Sequence, residues 1–335
     1  MIVRTERAAH LSESHPLGLC FSWYRIPTGE RGWESAYRFP RIGVSAFWVD
    51  YRTRLFGHGF ALLPNMKFEL LRYKHSTLHF KIGTGVGYIT NPFDLQTNFR
   101  QTQVSSRLNA SMFFGLSFQQ KINPQWQIRS GVDLVHFSNA AFSLPNAGNN
   151  MFNANFGLIY TPFASQIVLK DSLRPFQKEW RLCVGILNGW IEQEENENRK
   201  HYTFTANALL TWQCTRKSQW QIGIEFNVNN GIKAYLNRTM IDENRSPLPQ
   251  PDFRRVAWIV GHELLAGKIA LVKQIGIYLY KPYEGDSPNM PIYQRLGIKY
   301  YFNHRITGQF SMKTHLGSAE TLEFGVGYRF LKPKN

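Results

Sequence analysis

Long segments of strictly alternating apolar and polar residues recur along this chain and predict β-structure. The clearest segment lies near the C-terminus, where every second residue is apolar or aromatic. Its apolar side consists of Leu322, Phe324, Val326, Tyr328 and Phe330, and its other side of Thr321, Glu323, Gly325, Gly327 and Arg329. Because successive side chains of a strand point to opposite faces of the sheet, this period predicts strands with one apolar and one polar face.

A soluble β-sandwich and a membrane barrel both produce such alternation. Segments such as Thr77–Tyr88 and Arg107–Gln119 exceed the length of about 5 or 6 residues usual in soluble strands and suit a tilted membrane crossing. Aromatic residues also collect at segment ends, as in Tyr300–Phe302, where a membrane interface would be. We therefore predict an all-β fold, an antiparallel transmembrane β-barrel of the outer-membrane type, in preference to a sandwich.

Candidate strands counted from Ile42 onward suggest a barrel of about 14 strands, within a range of about 12–16. They lie near 42–52, 58–71, 76–90, 105–121, 124–138, 150–163, 178–192, 201–215, 218–232, 254–264, 267–281, 291–303, 305–315 and 319–330. An even count places both chain ends on the periplasmic side, with tight turns there and the longer connections outside.

The predicted domain organisation is an N-terminal segment followed by one barrel. Residues 1–38 hold one plausible strand, at 17–27, or form a periplasmic or plug element, and residues 39–335 form the barrel. The chain begins without the apolar core of a secretory signal, so we expect a signal peptide to have been removed or truncated.

Charge and cysteine content narrow the classes of partner. The net charge of +16 is scattered through strands and loops, without a nucleic-acid-binding motif, so we expect no nucleic-acid partner. A phosphorylated lipid of a bacterial outer leaflet is a polyanion that fits the charge equally well. Cys20, Cys183 and Cys214 are too widely spaced for a zinc motif, and we expect neither a metal nor another cofactor.

One strand carries a possible base and a possible nucleophile on the same face. His136 and Ser138 are two residues apart in an extended segment, and they share its apolar face with Leu134. Asp133 belongs to the opposite, polar face, where we expect it to pair with Arg129 or a neighbouring strand. In the predicted barrel, the connection that follows this strand lies on the extracellular side. The pair is therefore expected on the lipid-facing side of the barrel, near its outer rim.

The segment His136-Phe137-Ser138-Asn139-Ala140, with Pro145-Asn146-x-Gly148 after it, resembles the active-site segment of the lipid A 3-O-deacylase (PagL) family and of acyloxyacyl hydrolases. The resemblance extends more loosely over residues 40–163, so that 39–163 is a deacylase-like part and 164–335 supplies additional barrel strands. It implies a serine esterase that removes an ester-linked acyl chain from lipid A or lipopolysaccharide in the cell outer membrane.

By motif position, the resemblance implies that Ser138 is the nucleophile, His136 the general base and Asn146 an oxyanion-hole donor, with Asn139 as a helper. The family's third catalytic residue is a glutamate, and the matching position here is Asn150. An asparagine carbonyl accepts a hydrogen bond from Nδ1–H but brings no charge to stabilise an imidazolium.

Two rivals from other classes remain open in the sequence. A non-catalytic outer-membrane barrel, a pore or a structural protein, could retain a deacylase-like segment, and a soluble ligand-binding barrel would account for the missing signal. His-x-Ser is a short spacing that also arises by chance, and a histidine at a membrane interface is often a girdle residue. An open lumen favours a pore, whereas a plugged or polar-filled lumen, with His136 and Ser138 within hydrogen-bond reach of each other on the outside, favours the enzyme. The oligomeric state is left open by the sequence.

Overall fold

The computed structural model describes residues 14–29, 31–162, 176–195, 199–242, 252–283 and 290–330. These residues form 15 strands and two helices, and the chain divides into two compact units. The first unit comprises Met1–Asn139 and Pro145–Leu173, and the second comprises Ala140–Leu144 and Arg174–Asn335.

The first unit is a seven-stranded antiparallel sheet in which each strand pairs with its neighbours in sequence. The strands are β1 (Leu17–Arg25), β2 (Arg41–Asp50), β3 (His58–Tyr73), β4 (Ser76–Ile89), β5 (Leu108–Lys121), β6 (Trp126–Ser138) and β7 (Asn149–Tyr160). A short helix, α1 (Gly32–Ala36), lies between β1 and β2. β1 pairs with β2 along its whole length, so the strand predicted at 17–27 belongs to this sheet.

The second unit is a closed antiparallel barrel of eight strands, in which β8 pairs with the last strand to complete the ring. Its strands are β8 (Glu179–Ile191), β9 (His201–Gln213), β10 (Ser218–Asn229), β11 (Arg254–Ala266), β12 (Ile269–Tyr280), β13 (Ile292–Tyr301), β14 (Ile306–His315) and β15 (Ser318–Arg329). Helix α2 (Asn230–Asp242) follows β10.

The strand count and the pairing differ from the predicted barrel of about 14 strands. The strands from β2 to β15 match the predicted segments closely, but with β1 they number 15, and they form two sheets where one ring over residues 39–335 was expected. The physical reason is that alternation records which face of a strand is polar and carries no information about which strand closes a ring. The class, an all-β outer-membrane-type fold, is confirmed.

Both units expose their apolar faces and bury their polar ones, the reverse of a soluble protein. Phe156 is 74% exposed in the first unit and Ile224 is 57% exposed in the second, whereas Gln119 and Glu225 are each 1% exposed. Aromatic pairs lie at the strand ends next to the short turns, such as Trp126 with Tyr160, whose ring centroids are 4.8 Å apart. An apolar outer surface with aromatic ends is the surface that a bilayer requires. Among the described residues, neither helix has the length and apolar character to cross a membrane.

The interior of the second unit is filled by paired charges. The Arg295 guanidinium binds two carboxylates, with Nη1 at 2.6 Å from Glu225 Oε2 and Nε at 2.6 Å from Glu323 Oε2. Lys313 lies 3.4 Å from Glu225, and Arg255 pairs with Glu320. These side chains are almost fully buried, so the charges are compensated by one another inside the ring.

The inner face of the first unit is apolar behind the end of β6 that carries His136. Phe137, Val135 and Met151 are fully buried there, together with Phe113 and Tyr51. Close packing of this cluster fixes the backbone of β6 and β7 from behind. The outward-facing residues of the same strands, including His136, are therefore held on a rigid support.

Candidate functional site

His136 and Asn150 face each other across the β6–β7 ladder. The two residues are directly opposed in the register, and His136 Nδ1 lies 2.7 Å from Asn150 Oδ1. Because the carbonyl Oδ1 is an acceptor, this bond places the proton of the imidazole on Nδ1 and leaves Nε2 as an acceptor. A neutral histidine in this tautomer can take a proton at Nε2, as a general base must.

Ser138 lies at the end of β6, on the same face as His136, and only 8% of its surface is exposed. Its Oγ accepts a hydrogen bond of 2.9 Å from Asn146 Nδ2. The other end of the same amide, Asn146 Oδ1, accepts from the backbone N–H of Asn139 at 3.3 Å. The asparagine pair therefore holds an amide donor beside the serine oxygen.

Two connections of the first unit meet at this site. Asn139 Nδ2 donates to Ser106 Oγ at 2.8 Å and to Ser105 Oγ at 3.3 Å, in the segment between β4 and β5. The backbone N–H of Gly148 donates to the carbonyl oxygen of Gln103 at 2.9 Å. These bonds connect the loop after Ser138 to the loop before β5.

The backbone is in unusual conformations on both sides of the loop. Gly148 has a φ of +77°, and a Cβ at this position would lie 2.8 Å from His136 Cε1. Ala140, which follows Asn139, has a φ of 54°, in the left-handed region that non-glycine residues seldom occupy. Strained residues of this kind concentrate at functional sites, where the surroundings hold them in place.

The structure thus brings the predicted residues into two hydrogen-bonded groups, His136 with Asn150, and Ser138 with Asn146 and Asn139. Asp133 lies inside the first unit, where Arg129 binds it at 3.3 Å and Asn155 at 2.7 Å. It takes no part in the outward-facing groups, because alternate residues of β6 face opposite sides of the sheet and Asp133 is on the inner side. Among the described residues, no group of three or more His, Cys, Asp or Glu side chains is arranged to hold a metal ion.

Sequence reasoning missed Ser105, Ser106 and Gln103. They lie in a segment without regular periodicity, and nothing in their local sequence indicates that the chain folds back toward β6. The contribution of Gly148 was also missed, although its place in a Pro-Asn-x-Gly run marks a turn. A glycine in a turn can be required either for its φ or for the space that it leaves, and here both apply.

Comparison with known proteins gives two family matches, one for each unit. Residues 21–158 match the model of the family described as lipid A 3-O-deacylase (PagL), and residues 178–333 match that of the acyloxyacyl hydrolase, C-terminal domain. The second match covers the half of the chain to which the sequence resemblance did not extend. No curated protein sequence matches the chain.

Solved structures similar to this chain are outer-membrane barrels of very different sequence. The translocator domain of the autotransporter NalP from Neisseria meningitidis is 11% identical over 82% of each chain, with a TM-score of 0.19. A mutant of Rh. blastica porin is 8% identical over 94% of this chain and 90% of its own, with a TM-score of 0.20. At these TM-scores the likeness adds nothing to the assignment. The two family matches together cover nearly the whole chain, which therefore belongs to the lipid A 3-O-deacylase (PagL) and acyloxyacyl hydrolase family.

Proposed function

We propose that this protein is an outer-membrane serine esterase that removes an ester-linked acyl chain from lipid A, with Ser138 as nucleophile and His136 as general base. The observation that carries the proposal is the pair of outward-facing hydrogen-bonded groups at the end of β6, in a chain of the deacylase family. A base oriented by a third residue, on the same strand face as a hydroxyl with an amide donor beside it, suits acyl transfer.

The proposed reaction has two steps. His136 Nε2 takes the proton from Ser138 Oγ as the oxygen attacks the ester carbonyl, and the amide of Asn146 donates to the oxyanion that forms. The intermediate collapses to an acyl-enzyme, and the imidazolium returns its proton to the departing sugar hydroxyl. Water, deprotonated by His136, then attacks the acyl-enzyme and releases the fatty acid and Ser138.

Asn150 orients the base without giving it a charge. Its Oδ1 accepts from Nδ1–H at 2.7 Å, which fixes the tautomer in which Nε2 is free to accept a proton. A carboxylate in the same place would also stabilise the imidazolium by charge. We therefore propose that position 150 performs the orienting half of the role that glutamate has in the family.

The surroundings of the site suit a lipid substrate. Val132 and Phe152 are 58% and 53% exposed on the outward face of β6 and β7, below the hydrogen-bonded groups. An acyl chain lying against this apolar surface would bring its ester bond to the level of Ser138. A soluble substrate on the inner side of the sheet could not reach a nucleophile on its outer face.

The rival, a non-catalytic pore, is opposed by the filled interiors. In the second unit, Arg295, Lys313 and Glu225 are buried and paired with one another across the ring. In the first unit, the apolar cluster around Phe137 occupies the inner face behind the site. Both arrangements favour a rigid support for outer-surface chemistry over a conducting channel.

Mass spectrometry of lipid A tests the proposal directly. Lipid A from cells that express the wild-type chain is expected to lose the mass of one hydroxyacyl group, and Ser138→Ala is expected to abolish this loss. Ser130→Ala is a matched control, because Ser130 lies on the same outward face of β6 and is exposed. An unchanged lipid A spectrum with well-folded wild-type protein in the outer membrane would contradict the proposal.

A further inference from the structure

A polar cavity of about 130 Å³ lies in the first unit at the end where β3 and β4 are joined by a short turn. This volume is many times the roughly 10–15 Å³ that one water molecule requires. Gln127 lines the cavity, and the ten residues of β6 from Gln127 to His136 span about 30 Å. The cavity is therefore a separate place from the candidate active site, and the inference below does not rest on the proposed function.

Basic side chains dominate the lining of this cavity, which we name the rim pocket. They are Arg41, Arg72, Lys74, His75, His79 and Lys121. The acidic lining residue is Glu69, and both of its oxygens are bound by Arg72, with Nε at 2.7 Å from Oε1. The carboxylate is thus bound by Arg72, and it is the one acidic group facing six basic side chains of this lining.

Three of these cations have no partner among the described residues. The side chains of Arg41, Lys74 and Lys121 form neither an ion pair nor a hydrogen bond there, although Lys74 lies over the ring of Tyr73. Deeper in the sheet, Lys67 is 5% exposed and stands directly opposite Lys81 in the β3–β4 ladder. Like charges directly opposite in a ladder are destabilising, and Lys81 is held there by a 2.8 Å hydrogen bond to Ser45 Oγ.

The second unit of the same chain provides an internal comparison. There, buried Arg295, Arg255 and Lys313 each have a carboxylate partner. Burial of a charge without a partner costs far more than burial of an ion pair. In that unit, side chains of the chain itself supply the partners of these buried charges. In the rim pocket, by contrast, one carboxylate faces six basic side chains, four of them exposed to solvent, and this lining suits an anion from outside the chain.

A buried histidine supplies an independent observation. His79 is 4% exposed, and its Nδ1 has no hydrogen-bond partner among the described residues. Its side chain lines the rim pocket, and in the ladder it stands opposite Glu69, which Arg72 already binds. A buried polar nitrogen without a partner is rare in folded proteins and calls for a ligand or an ion.

We propose that the rim pocket binds a phosphate-type oxyanion. Arg41, Lys121 and Lys74 would donate charge-assisted hydrogen bonds to its oxygens from three sides, and His79 would contact it from the buried end. A phosphate presents several acceptor oxygens and more than one negative charge, which matches a set of donors on separate strands and turns. The same chemistry is offered by free phosphate and by the phosphomonoester of a lipid headgroup.

The test measures binding of two phosphate sources to the full chain in a neutral detergent. Inorganic phosphate is titrated by calorimetry at constant ionic strength, and retention of phosphatidic acid is compared with that of phosphatidylcholine by native mass spectrometry. The variant Lys74→Gln/Lys121→Gln changes two exposed residues, so its folding is not in question. Arg41→Gln probes the inner wall, and Lys268→Gln, in the exposed turn between β11 and β12, is the matched control.

Saturable binding of inorganic phosphate by the wild type, weakened at least about tenfold in Lys74→Gln/Lys121→Gln and in Arg41→Gln, supports the proposal with free phosphate as ligand. Selective retention of phosphatidic acid, lost in the same variants, supports it with a lipid headgroup as the source. Lys268→Gln is expected to bind like the wild type in both arms. Absence of saturable binding in both arms, or equal binding by the pocket variants and the wild type, overturns it.

Discussion

Replacement of Asn150 by aspartate changes the charge beside His136 while the length of the side chain stays the same. Asn150 Oδ1 already lies 2.7 Å from His136 Nδ1, so a carboxylate oxygen in the same rotamer would accept the same proton. In the transition state His136 becomes an imidazolium, and the carboxylate would then form a charge-assisted hydrogen bond with it. We expect Asn150→Asp to raise kcat.

The magnitude follows from the difference between the two kinds of hydrogen bond. A neutral hydrogen bond contributes about 0.5–1.5 kcal/mol and one to a charged group about 1.5–3 kcal/mol. The barrier is lowered only by the extra hydrogen-bond energy that is gained as the imidazolium forms. We take this gain as about 1–1.5 kcal/mol, or about 5- to 10-fold in kcat. Loss of the neutral bond in Asn150→Ala is expected to lower kcat by about 2- to 10-fold.

The assay measures release of the hydroxy fatty acid from purified lipid A, in one detergent and at one pH, over a range of substrate concentrations. Asn153→Ala is the matched control, because Asn153 lies on the same strand but on the inner face, opposite Asp133. It is expected to leave kcat unchanged. The three variants are compared only after each gives the wild-type β-sheet signal by circular dichroism.

One combination of results would refute the reasoning. If Asn150→Ala has the kcat of the wild type, the bond between His136 and Asn150 does not orient the base. If Asn150→Asp then lowers kcat, another acid already faces His136, and the new carboxylate repels it. The grouping of His136, Ser138 and Asn150 would in that case be wrong.

The remaining predictions concern the loop, the oxyanion donor and the second unit. Gly148→Ala, whose Cβ would lie 2.8 Å from His136 Cε1 at a φ of +77°, is expected to lower kcat by at least about tenfold in a folded protein, measured by the fatty-acid release assay. Asn146→Ala is expected to lower kcat by about 10²- to 10³-fold with little change in KM, and a change confined to KM would contradict its role. Arg295→Leu leaves buried Glu323 without an ion-pair partner among the described residues and Glu225 with Lys313 alone, and is expected to lower the free energy of unfolding by about 3–5 kcal/mol in urea titrations in detergent. Arg254→Leu, which removes an ion pair of an exposed arginine, is its control and is expected to leave the free energy of unfolding close to that of the wild type.

Most strand positions were predictable because alternation is a local property. The segment predicted at 218–232 is β10, Ser218–Asn229, and that predicted at 305–315 is β14, Ile306–His315. The pairing of β15 with β8 was not predictable, since it depends on which two strands meet in space. Helix α2 was also missed, because residues 230–232 were assigned to the strand predicted at 218–232 and the rest to the connection after it. The local signal is Asn229, whose Oδ1 accepts from the backbone N–H groups of Gly231 and Ile232 at the start of the helix.

The face on which the candidate residues lie was predictable from the sequence, but their hydrogen bonds were not. The alternation of side chains along a strand was enough to place His136 and Ser138 on one face. The strand register in the structure then sets His136 opposite Asn150. The bonds that Asn139 and Gly148 form with the loop before β5 join positions more than 30 residues apart in the chain. Contacts of that kind arise from tertiary packing, which a periodic pattern in one segment does not encode.

The paired charges inside the second unit also bear on the order of events when this barrel enters a bilayer. Arg295 on β13 is satisfied by Glu225 on β10 and Glu323 on β15, strands that are not neighbours in the ring. In a partly assembled sheet these charged side chains would have no ion-pair partners, and the backbone groups of the open sheet edge would have no hydrogen-bond partners. In hydrocarbon each such group would cost several kcal/mol. Closure of the barrel and formation of the ion pairs across its lumen must therefore precede or accompany insertion into the membrane. Insertion of this half of the chain is in consequence an all-or-none event.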